Sequence, residues 1–310
     1  MHSILSVADP GRASLPWRVE PSVWLVMGAV ITFLWWAVTR VGPRLVEPGQ
    51  PVVTSRQKQW LTAGVVSMWV FSEYPIHDIS EKYLFSVHMT QHTVFTLVSS
   101  ACFLMGSPDW LWRWVMSHRV IAQVARFCSK PMVALLLFNA LIAYTHLPVI
   151  VRLSTSNGLF HFGVHTALFV ASLFMWVPVI NRTELLPKLK KPTKMIYLFA
   201  QSLVPTVPAS FLTFASKPMY KHYADAPRLI SGFDAVKDQQ TAAVIMKLGA
   251  GTFIWCIVGY LFYAWWQDNE AGIADDNMRP IPAEGMGQGV LTWDRVQVEL
   301  QRAAPVDSPT

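Results

Sequence analysis

Residues 158–180 read GLFHFGVHTALFVASLFMWVPVI, a stretch of 23 residues without one charged side chain. The hydrocarbon core of a bilayer is about 30 Å thick, so an α-helix needs about 20 predominantly apolar residues to cross it. The stretch therefore predicts a membrane-spanning helix. It also contains two histidines, His161 and His165, which are four positions apart.

The composition of the whole 310-residue chain agrees with this interpretation. Apolar residues make up 53% of the sequence and charged residues only 14%, whereas soluble domains contain roughly 25% charged residues. So little charge cannot cover the surface of a soluble fold of this size. The composition excludes a disordered chain, a fibrous repeat and a disulfide scaffold, and it argues against an ordinary cytosolic enzyme.

Seven stretches are candidates for crossing the bilayer, and we predict an all-α integral membrane bundle of about seven transmembrane helices. The stretches are 22–39, 59–72, 84–105, 130–150, 158–180, 194–216 and 240–266. The second is short and is followed at once by Glu73, so six spans with a re-entrant second segment is the alternative. Pro205 and Pro208 predict a kink or break in the sixth stretch, because proline removes a helical hydrogen bond.

The positively charged residues predict the orientation of the bundle. The loops after the first, third and fifth spans contain thirteen Lys and Arg residues, and the other three loops contain six. Since basic loops remain on the cytoplasmic side, we expect the N-terminus outside and the C-terminus inside. The chain then has an extracytoplasmic segment 1–21, a membrane domain 22–266 and a flexible, acidic cytoplasmic tail 267–310.

The net charge of +6 is therefore interpreted as a membrane signal, and no nucleic acid partner is expected. Residues 109–127, DWLWRWVMSHRVIAQVARF, alternate tryptophans with arginines. This pattern predicts a helix that lies along the cytoplasmic interface, with its aromatic side in the bilayer and its cations toward anionic lipid.

Five histidines fall at one depth in the predicted outer leaflet. His88 and His92 lie near the start of the third span, His161 and His165 near the start of the fifth, and His146 near the end of the fourth. Residues four apart share a helix face, and the short connection between the fourth and fifth spans packs them side by side. We predict that the two pairs line one cleft between the third and fifth spans, with His146 at its edge.

Neutral imidazole is a common ligand of copper, zinc, nickel and iron, so these five histidines are candidate metal ligands. A hydrogen-bonded structural network of the same side chains is the alternative. Further candidates for an accessory role are Met89, whose thioether would suit Cu(I), and His77, His222, Met219, Lys247 and Asp238.

Lys247 is the clearest charge within the predicted spans. A cation beside a metal would weaken metal binding, so we favour a structural role in which Lys247 reaches outward or pairs with Asp238 or Asp78.

Five segments, in this order along the chain, carry a resemblance to a known family: HMTQHTVFTL (88–97), THLP (145–148), HFGVHTALFVASLFMWVPV (161–179), KPMYKHYAD (217–225) and DQQTAAVIMKLG (238–249). Over most of residues 84–266, the chain resembles the Bacillus-type CtaG family of cytochrome c oxidase assembly factors, which are seven-span membrane proteins. The resemblance implies a bacterial plasma-membrane protein that partners cytochrome c oxidase subunits and handles copper for the catalytic subunit.

The histidines and the resemblance are compatible with three functions. The first is an assembly factor that binds copper through the outer-leaflet histidines. The second is a haem b-binding membrane electron carrier, since two imidazoles between helices can hold haem. The third is a metal-ion transporter, although few polar residues continue into the inner halves of the spans. No enzymatic activity is expected, because the sequence contains no GxSxG, HExxH or phosphate-binding glycine loop.

Overall fold

The computed structural model describes residues 21–181 and 183–278 and the backbone of residue 297. Residues 1–20 of the predicted N-terminal segment lie outside the described residues. The predicted tail beyond residue 278 also lies outside them, except for the backbone of residue 297. The chain divides into two compact units, residues 1–262 and 263–310, and the contacts described below lie within the first. Within the described residues the regular structure is helical and contains no β-strand, so the all-α prediction is confirmed.

Thirteen helices make up the described part of the chain. In order, they are α1 Pro21–Leu45, α2 Ser55–Ser72, α3 Ile76–Lys82, α4 Phe85–Gly106, α5 Asp109–Met116, α6 Arg119–Cys128, α7 Pro131–Thr145, α8 Pro148–Ser156, α9 Gly158–Ile180, α10 Lys191–Leu203, α11 Thr206–Phe214, α12 Lys221–Asp225 and α13 Ala235–Gly272.

Four helical segments of the described chain are long and apolar enough to cross a membrane: α1, α9, α10 together with α11, and α13. Two bent pairs, α4 with α5 and α6 with α7, raise the number to six if each pair counts as one span. The predicted second span lies in α2, which has 18 residues but is not among these candidates. The structure thus gives four to six candidate spans, while the count of seven and the orientation stay predictions.

The predicted interfacial helix 109–127 is two helices. α5 is bent by 96° relative to α4, and α6 by 82° relative to α7. Between them, the hydroxyl of Ser117 donates to the carbonyl of Trp114 at 2.7 Å, a local bond that competes with continuation of the helix. The predicted break in the sixth stretch is also present, because α10 ends at Leu203 and α11 begins at Thr206, directly after Pro205.

The first residues of α4 are held by a buried carboxylate of α13. Asp238 accepts hydrogen bonds from the backbone N–H groups of Phe85 at 2.7 Å and Ser86 at 3.0 Å. The N–H groups at the start of a helix have no partner within the helix, and a negative charge there is favourable. Asp238 therefore fixes the end of α4 that carries His88 and His92.

α4 departs from regular α-helical geometry in its middle. Residues Val94–Ser99 form a π-helical turn, and the carbonyl of Thr96 within that turn accepts a hydrogen bond from Nε1 of Trp176 at 3.0 Å. Trp176 lies in α9 and is buried in the main hydrophobic core, together with Leu97 and Met175. The indole of Trp176 therefore ties α9 to the irregular turn of α4.

Candidate metal centre

The two histidine pairs of α4 and α9 face each other. Within the pairs, the ring centroids of His88 and His92 are 4.5 Å apart and those of His161 and His165 are 4.2 Å apart. Between the helices, the His92 and His165 rings are separated by 4.5 Å and the His88 and His165 rings by 5.6 Å. The four imidazoles thus form one cluster between the two helices.

These four histidines line a cleft that also includes His146, at the end of α7, and Met89 of α4. We call it the histidine cleft. Its cavity measures about 30 Å³, which is enough for a single ion or for one or two water molecules.

A carboxylate that the sequence analysis did not identify joins the two pairs. Oε1 of Glu81, in the short helix α3, lies 3.1 Å from Nδ1 of His88 and 3.2 Å from Nε2 of His161. Burial by itself raises the pKa of Glu81, but the His88 and His161 rings outweigh that effect and hold the pKa well below its usual range. Glu81 is therefore an ionised acceptor for both rings. The signal that could have pointed to it is an acidic residue just before an apolar span.

The hydrogen bonds of Glu81 determine which ring nitrogens are available. Since a carboxylate only accepts, Nδ1 of His88 carries a proton. Nε2 of the same ring lies 2.9 Å from Nε2 of His92, so these two nitrogens share a hydrogen bond. By the same argument Nε2 of His161 carries a proton, and its Nδ1 lies 2.8 Å from the hydroxyl oxygen of Ser154.

His165 differs from the other three. Its Nε2 is buried and has no hydrogen-bond partner among the described residues. A buried polar atom without a partner costs about 1–3 kcal/mol, so such atoms are uncommon in folded proteins. An ion bound at this nitrogen would satisfy it.

The potential ligand atoms form two overlapping groups of three. One group contains His88, His92 and His165, and the other contains Glu81, His161 and His165. Within each group the ligand atoms lie within 4.8 Å of one another. Imidazole and carboxylate donors at such separations suit a first-row transition metal, and His165 belongs to both groups.

His146 occupies the edge of the histidine cleft. Its Nδ1 lies 2.7 Å from the carbonyl oxygen of Ile142, and its Nε2 lies 3.4 Å from the sulfur of Met89. The side chain of Met89 is buried. Of the accessory candidates, Met89 is therefore the one that the structure places in the cleft.

Two further accessory histidines surround the cleft without entering it. Nδ1 of His77 lies 3.4 Å from the side-chain nitrogen of Gln91. Nε2 of His222 donates to the backbone carbonyl of Glu81 at 2.7 Å. His222 therefore holds α3, and with it the Glu81 carboxylate, over the cleft.

The remaining accessory candidates lie away from the cleft. Met219 is 39% exposed, and Lys247 is exposed on α13. Neither of the two carboxylates suggested as partners of Lys247 pairs with it, because Asp238 binds the start of α4 and Asp78 forms an ion pair with Lys82 at 3.0 Å. Of the two alternatives for Lys247, the pairing is therefore not present, and its exposed charge is not in either ligand group.

A family model described as the cytochrome c oxidase caa3 assembly factor (Caa3_CtaG) matches residues 24–268. The chain belongs to the Caa3_CtaG family. The match includes every residue of the histidine cleft and Glu81, and it confirms the family that the five sequence segments resemble. No curated protein and no solved structure matches the chain.

Membership of the Caa3_CtaG family gives the protein a place in the assembly of cytochrome c oxidase, and this implies association with that enzyme. The long apolar helices indicate a membrane protein. Among the described residues, the cluster of imidazoles between α4 and α9, together with Glu81, supplies the side-chain groups that could hold a metal ion.

Proposed function

We propose that this Caa3_CtaG protein is a copper chaperone, which binds copper in the histidine cleft and delivers it to the catalytic subunit of cytochrome c oxidase. The observation that carries the proposal is the group of His88, His92 and His165, whose ligand atoms lie within 4.8 Å of one another. The unpartnered Nε2 of His165 supports it further. Imidazole suits copper, and the copper sites of haem–copper oxidases take the same type of ligand.

The overlap of the two ligand groups supports delivery as well as binding. An ion held by Glu81, His161 and His165 could pass to His88 and His92 while its bond to His165 is kept. Each position offers only three ligands, and a carrier that must release its metal benefits from incomplete coordination. Such stepwise exchange between neighbouring ligands would carry copper along the cleft toward a partner.

The proposal includes a location and an orientation. The protein would lie in the plasma membrane of a bacterium with α2 as the additional, seventh crossing, the N-terminus outside and the C-terminus inside. The excess of basic residues in alternate loops supports this orientation. α5 and α6, which are bent by 96° and 82° from their neighbours, would then lie along the cytoplasmic interface, and the cleft would open toward the outer leaflet.

The size of the cleft argues against haem. Pockets for molecules of that size generally measure about 300–1,000 Å³, whereas this cavity measures about 30 Å³. A transport pathway is also poorly supported, because Met175, Trp176 and Leu198 fill the described bundle beyond the histidines and are at most 1% exposed. We therefore propose a binding protein without enzymatic activity.

Copper analysis of the detergent-purified protein tests the proposal. After loading with copper and removal of the excess, we expect about one copper per chain in the wild type. A variant with His88→Asn, His92→Asn and His165→Asn should retain none. His118→Asn is the matched control, because His118 is exposed and lies between α5 and α6.

The outcome in cells completes this test. Cells that express only the triple variant should accumulate it in the membrane but contain cytochrome c oxidase without copper in its catalytic subunit. Copper retention equal to that of the wild type would contradict the proposal. A sharp visible band in the reduced-minus-oxidised spectrum would instead support the haem-binding alternative.

A further inference from the structure

We infer that Met89 and His146 form a soft subsite at the edge of the histidine cleft, which shares the single copper ion with the other cleft histidines and selects the cuprous ion, Cu(I). The inference rests on the proposed copper function and adds to it an oxidation state and a sulfur ligand. It is carried by the positions of two atoms, Nε2 of His146 and Sδ of Met89, which lie 3.4 Å apart.

The protonation of His146 follows from its other nitrogen. Nδ1 lies 2.7 Å from the carbonyl oxygen of Ile142, and because a carbonyl only accepts, Nδ1 must carry the proton of the neutral ring. Nε2 is then left with a lone pair. The same carbonyl also accepts from the hydroxyl of Thr145 at 2.9 Å, so Thr145 is not a donor to His146.

Nε2 of His146 therefore points a lone pair at a thioether sulfur, which has no proton to donate. Both atoms are therefore acceptors, and they lie 3.4 Å apart. If the proton were on Nε2 instead, the N–H group would face only the thioether sulfur, which is a weak acceptor. A soft cation bound to both atoms would make both contacts favourable, because thioether sulfur prefers Cu(I) to harder ions.

The two donors are held in place from several directions. The hydroxyl of Tyr220 donates to the backbone carbonyl of His146 at 2.9 Å, and the ring of Tyr220 packs on Phe85 with 4.7 Å between the centroids. Met89 is 4% exposed and lies in the same apolar cluster as Phe85 and Tyr223. The nitrogen and sulfur are thus preorganised rather than brought together by chance on a mobile surface.

The charge of the cleft favours the same ion. Glu81 contributes the one carboxylate of the two ligand groups, and histidines that bind a metal are neutral. A monovalent cation would neutralise Glu81, whereas a divalent cation would leave an excess positive charge in apolar surroundings, which is costly. Both the softness of the sulfur and the balance of charge therefore point to Cu(I).

X-ray absorption at the copper edge tests this subsite in the full-length, detergent-purified protein loaded with Cu(I). We expect a sulfur scatterer at about 2.3 Å in addition to nitrogen. Met89→Leu should remove the sulfur signal. It should also weaken Cu(I) binding by at least about 10–100-fold, which is the loss that removal of an outer-sphere partner causes. Binding of Zn²⁺ should change little. Met219→Leu is the matched control and should leave both signal and affinity unchanged.

The possible results separate this inference from the proposed function. Copper bound with nitrogen ligands alone in the wild type would overturn the Met89–His146 subsite and leave the proposed function intact. Sulfur that persists in Met89→Leu would overturn it too. A wild-type protein that binds no copper would contradict both. The wild-type spectrum decides the question even if the Met89→Leu variant fails to fold.

Discussion

The carboxylate of Glu81 lies 3.1 Å from Nδ1 of His88, although the two residues are seven positions apart and belong to different helices. Because the same oxygen also contacts His161, one carboxylate joins α3, α4 and α9 beside two of the histidines that line the cleft. A carboxylate bonded to a metal-binding imidazole fixes its tautomer and increases its basicity. Glu81 is therefore central to the predictions for this site.

Glu81→Gln should weaken copper binding by about 10–100-fold, because the amide lacks the negative charge that increases the basicity of the bonded rings and that could bind the metal. Competition titration of the purified protein with a copper chelator would measure the change. Glu73→Gln is the control, since Glu73 accepts from Trp69 and its own neighbour Tyr74. Wild-type affinity in Glu81→Gln would contradict the role of this carboxylate.

His165→Ala should abolish oxidase maturation while the protein remains abundant in the membrane. Nε2 of His165 has no hydrogen bond to lose among the described residues, and even an average interhelical bond in a membrane contributes only about 0.6 kcal/mol. Oxidase activity and immunoblots of membranes measure the two effects, with His118→Ala as control. If the variant protein disappeared from the membrane, the histidines would be a structural network instead.

Asp238→Asn should lower the free energy of unfolding by about 1–3 kcal/mol. Both carboxylate oxygens of Asp238 accept a backbone N–H, one from Phe85 and one from Ser86, and an asparagine leaves one of these donors unpaired. In the control Asp234→Asn, a single oxygen accepts from both Val236 and Lys237, so asparagine caps the helix equally well. Thermal unfolding of the two variants in detergent should differ accordingly.

Gly106→Ala should destabilise the protein by about 1–3 kcal/mol. An added Cβ would lie 2.8 Å from the backbone nitrogen of Leu61 and 3.0 Å from the carbonyl oxygen of Gln57, so α2 and α4 would have to separate. Gly163→Ala on α9 meets no atom within 4 Å and should stabilise the helix by about 0.5–1 kcal/mol. Equal thermal stability of the two variants would show that α2 does not pack on α4 in this way.

The apolar helices and the grouping of the histidines could be predicted from the sequence, because both depend on local patterns. Uncharged stretches mark the long helices, and a spacing of four places His161 and His165 on one face of α9. The division of the interfacial segment into α5 and α6 was not predicted. The backbone of His118 is extended between the two helices, although the pattern of the sequence continues through it.

Glu81 could not be predicted, because its position depends on contacts between distant parts of the chain. His222 binds the carbonyl of Glu81, and the hydroxyl of Tyr223 donates to the carbonyl of Ser80 at 3.0 Å. These contacts join residues more than 140 positions apart, so no local pattern in the sequence indicates them. The same holds for the pairing of Met89 with His146, which brings α4 to the end of α7.

The bond between Trp176 and the π-helical turn of α4 has a consequence for the alignment of the ligands. Successive residues of an α-helix are rotated by about 100°, so regularising Val94–Ser99 by a shift of one residue would turn His88 and His92 away from α9. The indole that secures this turn sits eleven residues, or about 16 Å, along α9 from His165. The orientation of the proposed copper ligands thus depends on a contact in the buried half of the bundle, and we expect a substitution of Trp176, which is not a proposed ligand, to weaken metal binding.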